Sequence, residues 1–298
     1  MNSRQNNSRD QALQQASLAL RMQQFDRAKQ LATDILKKRT DRSAVLILAH
    51  AMIAQNRQGE AIVPLERAAR RGSDAEIETL LGAALCGSRR SADGIEQLRR
   101  TAARRPPYLP AFQELAGQLA KAGQLTEAIR TVEDGLALAP ESIDLKVDLG
   151  RLFLRNNDRA KARDILIVAR DAAPGRPDIL TELARTLLFD GEYAAAADTF
   201  RHALALRPED TLARADLAAC LLEMGERDGG EAALRSVLRG RPHMLGRAAY
   251  ALSASSHGRF FPSQCGGEIP GTRTSLNGYS LNFRLCNPGS RIISFCNS

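Results

Sequence analysis

The sequence predicts an all-α fold, an α-solenoid in which antiparallel helix pairs stack on one another. Prolines recur every 34 residues, at Pro106, Pro140, Pro174, Pro208 and Pro242, and a fixed period of this length is typical of repeat proteins. Aromatic residues make up only 4% of the chain and Trp is absent. The core must therefore be filled by small and aliphatic side chains, which suits closely packed helices.

The first helix of each repeat is indicated by two apolar columns. When the chain is aligned on its prolines, one column contains Leu81, Leu115, Leu149, Leu183 and Leu217. The other column follows four residues later, with Leu85, Leu119, Phe153, Leu187 and Leu221. This spacing places both columns on one face of a helix.

A turn and a second helix follow in each repeat. Gly123, Gly191 and Gly225 share a column with Asn157, and these residue types tolerate the left-handed conformation at a helix C-terminus. The second helix then shows an Ala column and a larger apolar column, namely Ala128, Ala162 and Ala196 with Val132, Leu166, Phe200 and Leu234. Glycine replaces the small Ala at Gly94 and Gly230, where we expect weaker, frayed helices.

These columns resemble the tetratricopeptide repeat (TPR) family of the bacterial type, whose pattern is W-x2-L-G-x2-Y, A-x3-F, P. Four clear repeats begin at Leu109, Ile143, Pro177 and Thr211, and three weaker ones, with a period near 33, begin at Arg9, Arg42 and Ala75. We predict seven repeats plus a terminal helix, His243 to Gly258, within a solenoid domain spanning residues 1–258. The resemblance implies a right-handed superhelix whose first helices line a concave groove.

Residues 259–298 are predicted to be an irregular tail, because the composition changes there. Residues 1–254 contain 47 Ala and residues 255–298 contain none. One explanation is a native extension with short strands, for example over Ser280–Leu285 and Arg291–Phe295, joined in a disulfide-linked hairpin. The other, which we favour, is a change of reading frame near Phe261.

The sequence contains no pattern that indicates catalysis or cofactor binding. The five cysteines, Cys86, Cys220, Cys265, Cys286 and Cys296, form no C-x-x-C pair, so a zinc site is not indicated. The four histidines have no carboxylate or Cys at catalytic spacing, and no phosphate-binding glycine motif is present. We therefore expect a non-enzymatic protein without cofactors. With no apolar run long enough to span a membrane and no signal peptide pattern, we expect a cytoplasmic location and no membrane partner.

The family resemblance also implies which residues face a partner. Its groove-facing columns fall on Gln113, Lys121, Asp144, Arg151, Arg155, Asp178, Thr181, Arg185 and Phe189 in this sequence. Arg151 and Arg155 share a helix face, and Arg185 repeats Arg151 one period later. Such an array can bind the carboxylates of an acidic peptide. The Asn by which some relatives bind a C-terminal carboxylate is missing, since Gly117, Arg151 and Arg185 occupy its column.

A protein-interaction scaffold is the function that these features favour. The partner would be a peptide or a helix of another protein. One alternative is the recognition arm of a TPR-linked transferase without its catalytic domain. Nucleic-acid binding is less favoured, because the formal charge is +8 but no recognition motif accompanies it. Partner identity, pathway and oligomeric state are not indicated by the sequence.

Overall fold

The computed structural model describes residues 2–38, 40–240, 274–276 and 279–281. Fourteen helices and two strands lie in these ranges. The first helices of the seven pairs are α1 Asn2–Arg21, α3 Arg42–Ala54, α5 Ala75–Gly87, α7 Leu109–Lys121, α9 Ile143–Arg155, α11 Pro177–Phe189 and α13 Thr211–Glu223. The second helices are α2 Phe25–Lys38, α4 Gln58–Ala69, α6 Ser91–Ala102, α8 Leu125–Leu138, α10 Arg159–Ala172, α12 Tyr193–Leu206 and α14 Arg227–Gly240.

The predicted all-α repeat architecture is confirmed. Six of the seven predicted repeats begin at the first residue of a first helix, and only α1 begins earlier, at Asn2 instead of Arg9. The short strands β1 Thr274–Leu276 and β2 Tyr279–Leu281 form an antiparallel pair with Ser275 opposite Ser280. Strand β2 overlaps the strand predicted over Ser280–Leu285. The predicted terminal helix, the second predicted strand and the predicted boundary at residue 258 lie outside the described residues.

The chain forms two compact units, Met1–Ala169 and Arg170–Ser298. Small and aliphatic side chains fill the core of the first unit, as shown by the fully buried Ala28, Leu65, Leu98 and Leu166. In the second unit Phe200 is fully buried in a cluster of mostly Ala and Leu side chains from α11, α12 and α13. Burial of these apolar flanks between successive helices stabilises each stack.

Each helix pair reverses through the same turn. The residues in the left-handed conformation are Gln23, Asn56, Arg89, Gly123, Asn157, Gly191 and Gly225, with φ between 58° and 80°. The N–H of the following residue donates to the carbonyl five residues earlier, at N···O distances of 2.8–3.0 Å in all seven turns. This Schellman motif pairs the last carbonyls of the first helix. The predicted column is confirmed, and the structure extends it to the first three repeats.

The N-termini of several first helices are capped by side chains. Asp41 accepts a hydrogen bond from the backbone N–H of Ala44, and Asp74 accepts two from the turn that begins α5. Ser142 and Asp210 do the same for α9 and α13. These caps satisfy N–H groups that have no partner inside the helix, which fixes where each first helix begins.

Glycine at position 94 is required by the close approach of α5 and α6. A Cβ atom at Gly94 would lie 2.4 Å from the Cys86 Sγ and 2.6 Å from the Gly82 carbonyl oxygen. Helices α6 and α14 run through Gly94 and Gly230 without interruption. At Gly94 the glycine therefore allows tight packing between the helices of one repeat.

We expect the variant Gly94→Ala to unfold at a lower urea concentration than the parent. Alanine improves helix propensity by about 1 kcal/mol, but the clash with backbone and Sγ atoms should cost about 2–3 kcal/mol, at the upper end for an overpacked site. Gly117→Ala is the matched control, because Gly117 lies in α7 with nothing within 4 Å of an added Cβ. It should stabilise the protein. Far-UV circular dichroism during urea titration measures both variants, and stabilisation by Gly94→Ala would contradict the packing argument.

A second pair of variants tests the turn. We expect Arg89→Gly to stabilise the protein by about 0.5–1 kcal/mol, because the left-handed conformation of Arg89 is costly for a residue with a Cβ. Gly123→Ala at the equivalent turn should destabilise by a similar amount, since only the backbone conformation matters where no atom lies within 4 Å. Thermal unfolding followed by circular dichroism gives the sign of both effects. If both substitutions changed the stability in the same direction, the backbone conformation would not be the cause.

Candidate functional site

The predicted site residues lie on the first helices of both units. Helices α7 and α9 in the first unit carry Gln113, Lys121, Asp144, Arg151 and Arg155, and helix α11 in the second unit carries Asp178, Thr181, Arg185 and Phe189. We call the surface formed by these positions within each unit the first-helix face.

In the first unit Asp148 connects two of the predicted residues. The Gln113 Nε2 donates to the Asp148 Oδ2 at 2.8 Å, and the Arg151 Nη1 donates to the Asp148 Oδ1 at 3.2 Å. Arg155 donates from Nη2 to the Ala120 carbonyl oxygen at 2.7 Å, in the last turn of α7. A cation is favourable there, because the carbonyls at a helix C-terminus carry partial negative charge. The structure thus joins α7 and α9 through polar contacts.

Two further predicted residues of the first unit, Lys121 and Asp144, are both exposed. Lys121 is the last residue of α7 and Asp144 is the second residue of α9. Both side chains therefore remain accessible to a partner.

In the second unit Arg185 connects α11 with α13. Its Nε donates to the Asp216 Oδ2 at 2.8 Å and its Nη1 donates to the Glu182 Oε1 at 3.3 Å. The Asp216 side chain is 8% exposed and that of Arg185 is 25% exposed. Burial acts to lower the pKa of Arg185, but the hydrogen bond to Asp216 and the neighbouring carboxylates outweigh it and raise that pKa. Arg185 therefore stays charged in the position where Asp216 holds it.

The other predicted residues of α11 differ in accessibility. Thr181 is only 6% exposed, and its hydroxyl donates to the Pro177 carbonyl oxygen at 2.8 Å. The Thr181 side chain therefore offers little surface to a partner. Asp178 accepts two hydrogen bonds from Arg176 at the start of the helix. Phe189 is 57% exposed at the end of α11, as a partner-binding residue requires.

The sequence suggested an array of arginines that binds the carboxylates of a partner. In the structure, two of these arginines already contact carboxylates within the protein. Arg151 and Arg185 hydrogen-bond with carboxylates of the protein itself. Those carboxylates belong to a column that the sequence analysis missed, namely Glu114, Asp148, Glu182 and Asp216, again 34 residues apart. These carboxylates recur with the same 34-residue period as the apolar columns, so the sequence contained a signal that could have revealed them. The first-helix face therefore offers both hydrogen-bond donors and acceptors.

Burial raises the pKa of the Cys220 thiol to about 12, which keeps it protonated and unreactive. His50 and His202 are exposed. Within the described ranges no group of three His, Cys, Asp or Glu side chains could hold a metal ion. In that same part of the chain no helix is long and apolar enough to cross a membrane.

Three clefts in the first unit lie between successive second helices, with the intervening first helix as the floor. The first cleft separates α2 and α4, the second separates α4 and α6, and the third separates α6 and α8. Their volumes are about 410, 800 and 520 Å³ in that order. Sequence reasoning did not anticipate them, because it considered only the columns of the first helices.

Comparison with known families finds a match over most of the chain. Tetratricopeptide repeat profiles match residues 13–76, 119–186 and 187–254. No curated protein is similar enough in sequence to match.

Solved structures show the same fold. The structure of Pseudomonas aeruginosa pilF is 18% identical with a TM-score of 0.58, over 71% of this chain and 97% of that chain. TTC0263, a thermophilic TPR protein of Thermus thermophilus, is 21% identical with a TM-score of 0.51, over 61% and 98%. The APC/C hetero-tetramer Cut9–Hcn1 contains a chain that is 15% identical with a TM-score of 0.58, over 77% and 49%. At these identities the likeness concerns the fold alone.

We expect Arg185→Ala to destabilise the second unit by about 2 kcal/mol. The substitution leaves the Asp216 carboxylate without its cation in a nearly buried position, and breaking a fully buried pair costs about 3–5 kcal/mol. Arg201→Ala is the control, because the pair of Arg201 with Asp198 is 50% and 76% exposed and should contribute about 0.5 kcal/mol.

Urea unfolding of both variants measures the difference. Adding Asp216→Ala to the Arg185→Ala variant should recover part of the loss, because no unpaired charge then remains. Equal effects of the two single substitutions would show that Asp216 does not depend on Arg185.

Proposed function

This chain belongs to the tetratricopeptide repeat family, and from that premise we propose that it is a non-enzymatic scaffold whose first-helix face binds a peptide or helix of a partner protein. Proteins of this family generally mediate protein–protein interactions. The concave groove that the family architecture implies is lined by first helices, so the proposed surface is the first-helix face defined above.

The observation that carries this proposal is the fixed placement of polar side chains on that face. Asp148 holds Arg151 while it accepts a hydrogen bond from Gln113, and Asp216 holds Arg185. Side chains that are already ordered lose less conformational entropy when a ligand binds, and this favours affinity. A guanidinium has five N–H donors, and Asp216 and Glu182 use two of those of Arg185.

The pairing also changes the expected chemistry of the partner. A purely acidic peptide would have to compete with Asp148 and Asp216 for the arginines. Within either unit, a segment that brings both a carbonyl or carboxylate acceptor and a cation can bind an arginine and its neighbouring carboxylate together. We therefore propose a partner segment of mixed charge, with an apolar side chain placed to contact Phe189.

Site-specific photocrosslinking tests the proposal. The full chain carries p-benzoylphenylalanine at position 189 in one version and at position 206 in the other. Phe189 is 57% exposed on a first helix and Leu206 is 45% exposed at the end of a second helix, so the two positions differ in face more than in exposure. In extracts of the cells that naturally produce the protein, we expect a discrete crosslinked partner from position 189 alone.

A matched pair in the first unit extends the test. The probe in this pair stands at position 121 on α7. Position 168 on α10 is its control, because Val168 is 49% exposed on a second helix and lines none of the clefts. Crosslinks from positions 206 and 168 without crosslinks from 189 and 121 would place binding on the other face and overturn the proposal. The absence of a discrete product from all four positions would overturn it as well.

A further inference from the structure

The three clefts between second helices share one architecture but differ in charge. The first cleft is lined by the cations Lys37, Arg67 and Arg71, and no carboxylate is among its lining residues. The second cleft is lined by equal numbers of arginines and carboxylates. In the third cleft two carboxylates accompany three arginines. The first cleft therefore has a net positive charge, whereas the charges within each of the other two clefts largely cancel.

All four arginines of the second cleft, but only Arg99 in the third, pair with carboxylates of the same cleft. In the second cleft Arg104 lies 2.7 Å from Glu78 and Arg90 lies 2.8 Å from Asp93. In the third cleft Arg99 lies 2.7 Å from Glu127. Such pairs satisfy both charges within the protein. Arg105 and Arg130 of the third cleft share their cleft with the carboxylate of Asp134, so both clefts attract an anionic ligand less than the first cleft does.

The cations of the first cleft are held by weak or neutral partners. Arg71 donates to the hydroxyl of Thr40, which carries no charge. Lys37 pairs with Asp34, but their side chains are 70% and 53% exposed, and exposed pairs of this kind contribute little. Arg67 forms no hydrogen bond or ion pair with the residues that the structure describes. All three cations are thus available to an anionic ligand.

The floor of the first cleft is apolar. Val45 and Leu48 of α3 are 3% and 4% exposed, and Leu36 of α2 lines the wall. The cleft volume of about 410 Å³ lies within the range of about 300–1,000 Å³ that is usual for ligand sites. A ligand that fills this cleft must combine negative charge with apolar groups.

We propose that the first cleft is a second binding site, which takes a short acidic segment of a partner protein. The apolar side chains of the segment contact Leu36, Val45 and Leu48, and its carboxylates contact Lys37, Arg67 and Arg71. An acidic peptide fits better than a nucleic acid, because none of the lining residues is aromatic and base stacking has no platform there. The site is separate from the first-helix face of the proposed function.

Binding of a defined peptide to the full chain tests this inference. The probe is a fluorescein-labelled peptide of Glu and Leu residues, with Leu at the i, i+3, i+4 and i+7 spacing of one helix face, and fluorescence anisotropy measures its affinity. We expect Arg67→Glu combined with Arg71→Glu to weaken binding by about tenfold or more, because two attractive contacts become repulsive.

The control combines Arg105→Glu with Arg130→Glu in the third cleft. Both residues are exposed, and neither forms an ion pair among the described residues, so the total charge changes equally while the first cleft is untouched. This variant should bind within about twofold of the parent. Circular dichroism confirms that both variants fold. A probe in which Ser replaces every Leu should bind more weakly than the original, because it cannot contact the apolar floor.

Each other outcome overturns the inference. Equal weakening in the two charge-reversal variants indicates unspecific attraction. If polyuridylate binds more tightly than the peptide, and the first-cleft variant loses that binding, the site is assigned to nucleic acid. Loss of peptide binding in Arg151→Glu with retention in the first-cleft variant places the peptide on the first-helix face, which leaves the proposed function intact. No measurable binding by the parent removes the site altogether.

Discussion

The structure depends on one constraint: no helix pair can bury both of its apolar flanks alone, so neighbouring elements must pack closely enough to bury them together. Close packing requires small residues at the contacts. Fully buried alanines such as Ala28 and Ala162 recur along the chain, and at Gly94 even a methyl group would collide with Cys86 and Gly82. Each pair must also reverse within a short turn. The left-handed residue and its Schellman hydrogen bonds provide that reversal in every repeat.

Once the flanks are buried, each repeat has two surfaces left for polar residues. On the first-helix face, side chains of one repeat pair with those of the next, as Gln113 does with Asp148. On the opposite surface, the clefts between second helices are lined by charges whose balance differs from one cleft to the next. Small residues and reversals determine the fold, while the charges on these surfaces distinguish this protein from another protein with the same fold.

The fold was predictable because its signal is periodic, and six of the seven repeat starts could be read from the columns alone. The turns at Gln23 and Arg89 could not, since neither residue type signals a left-handed conformation and the surrounding packing imposes it. The site was less predictable for a related reason. The partner of Arg185 lies 31 residues away on another helix, so the sequence revealed the arginine but not its carboxylate. Thr181 occupies a groove column, yet its hydroxyl bonds to the preceding turn.

Pairing between repeats links the stability of a unit to ligand binding. Arg185 fixes Asp216 in a nearly buried position, and a ligand that removed Arg185 from that contact would leave a charge with little solvent to compensate it. A ligand that uses the remaining N–H donors of Arg185 leaves the pair intact, and its binding adds to the stability of α11 and α13. Ligands of the second kind are therefore favoured on this face. The first cleft has no such restriction, because its cations hold no buried carboxylate, and a purely acidic segment can bind there without cost to the packing of the helices.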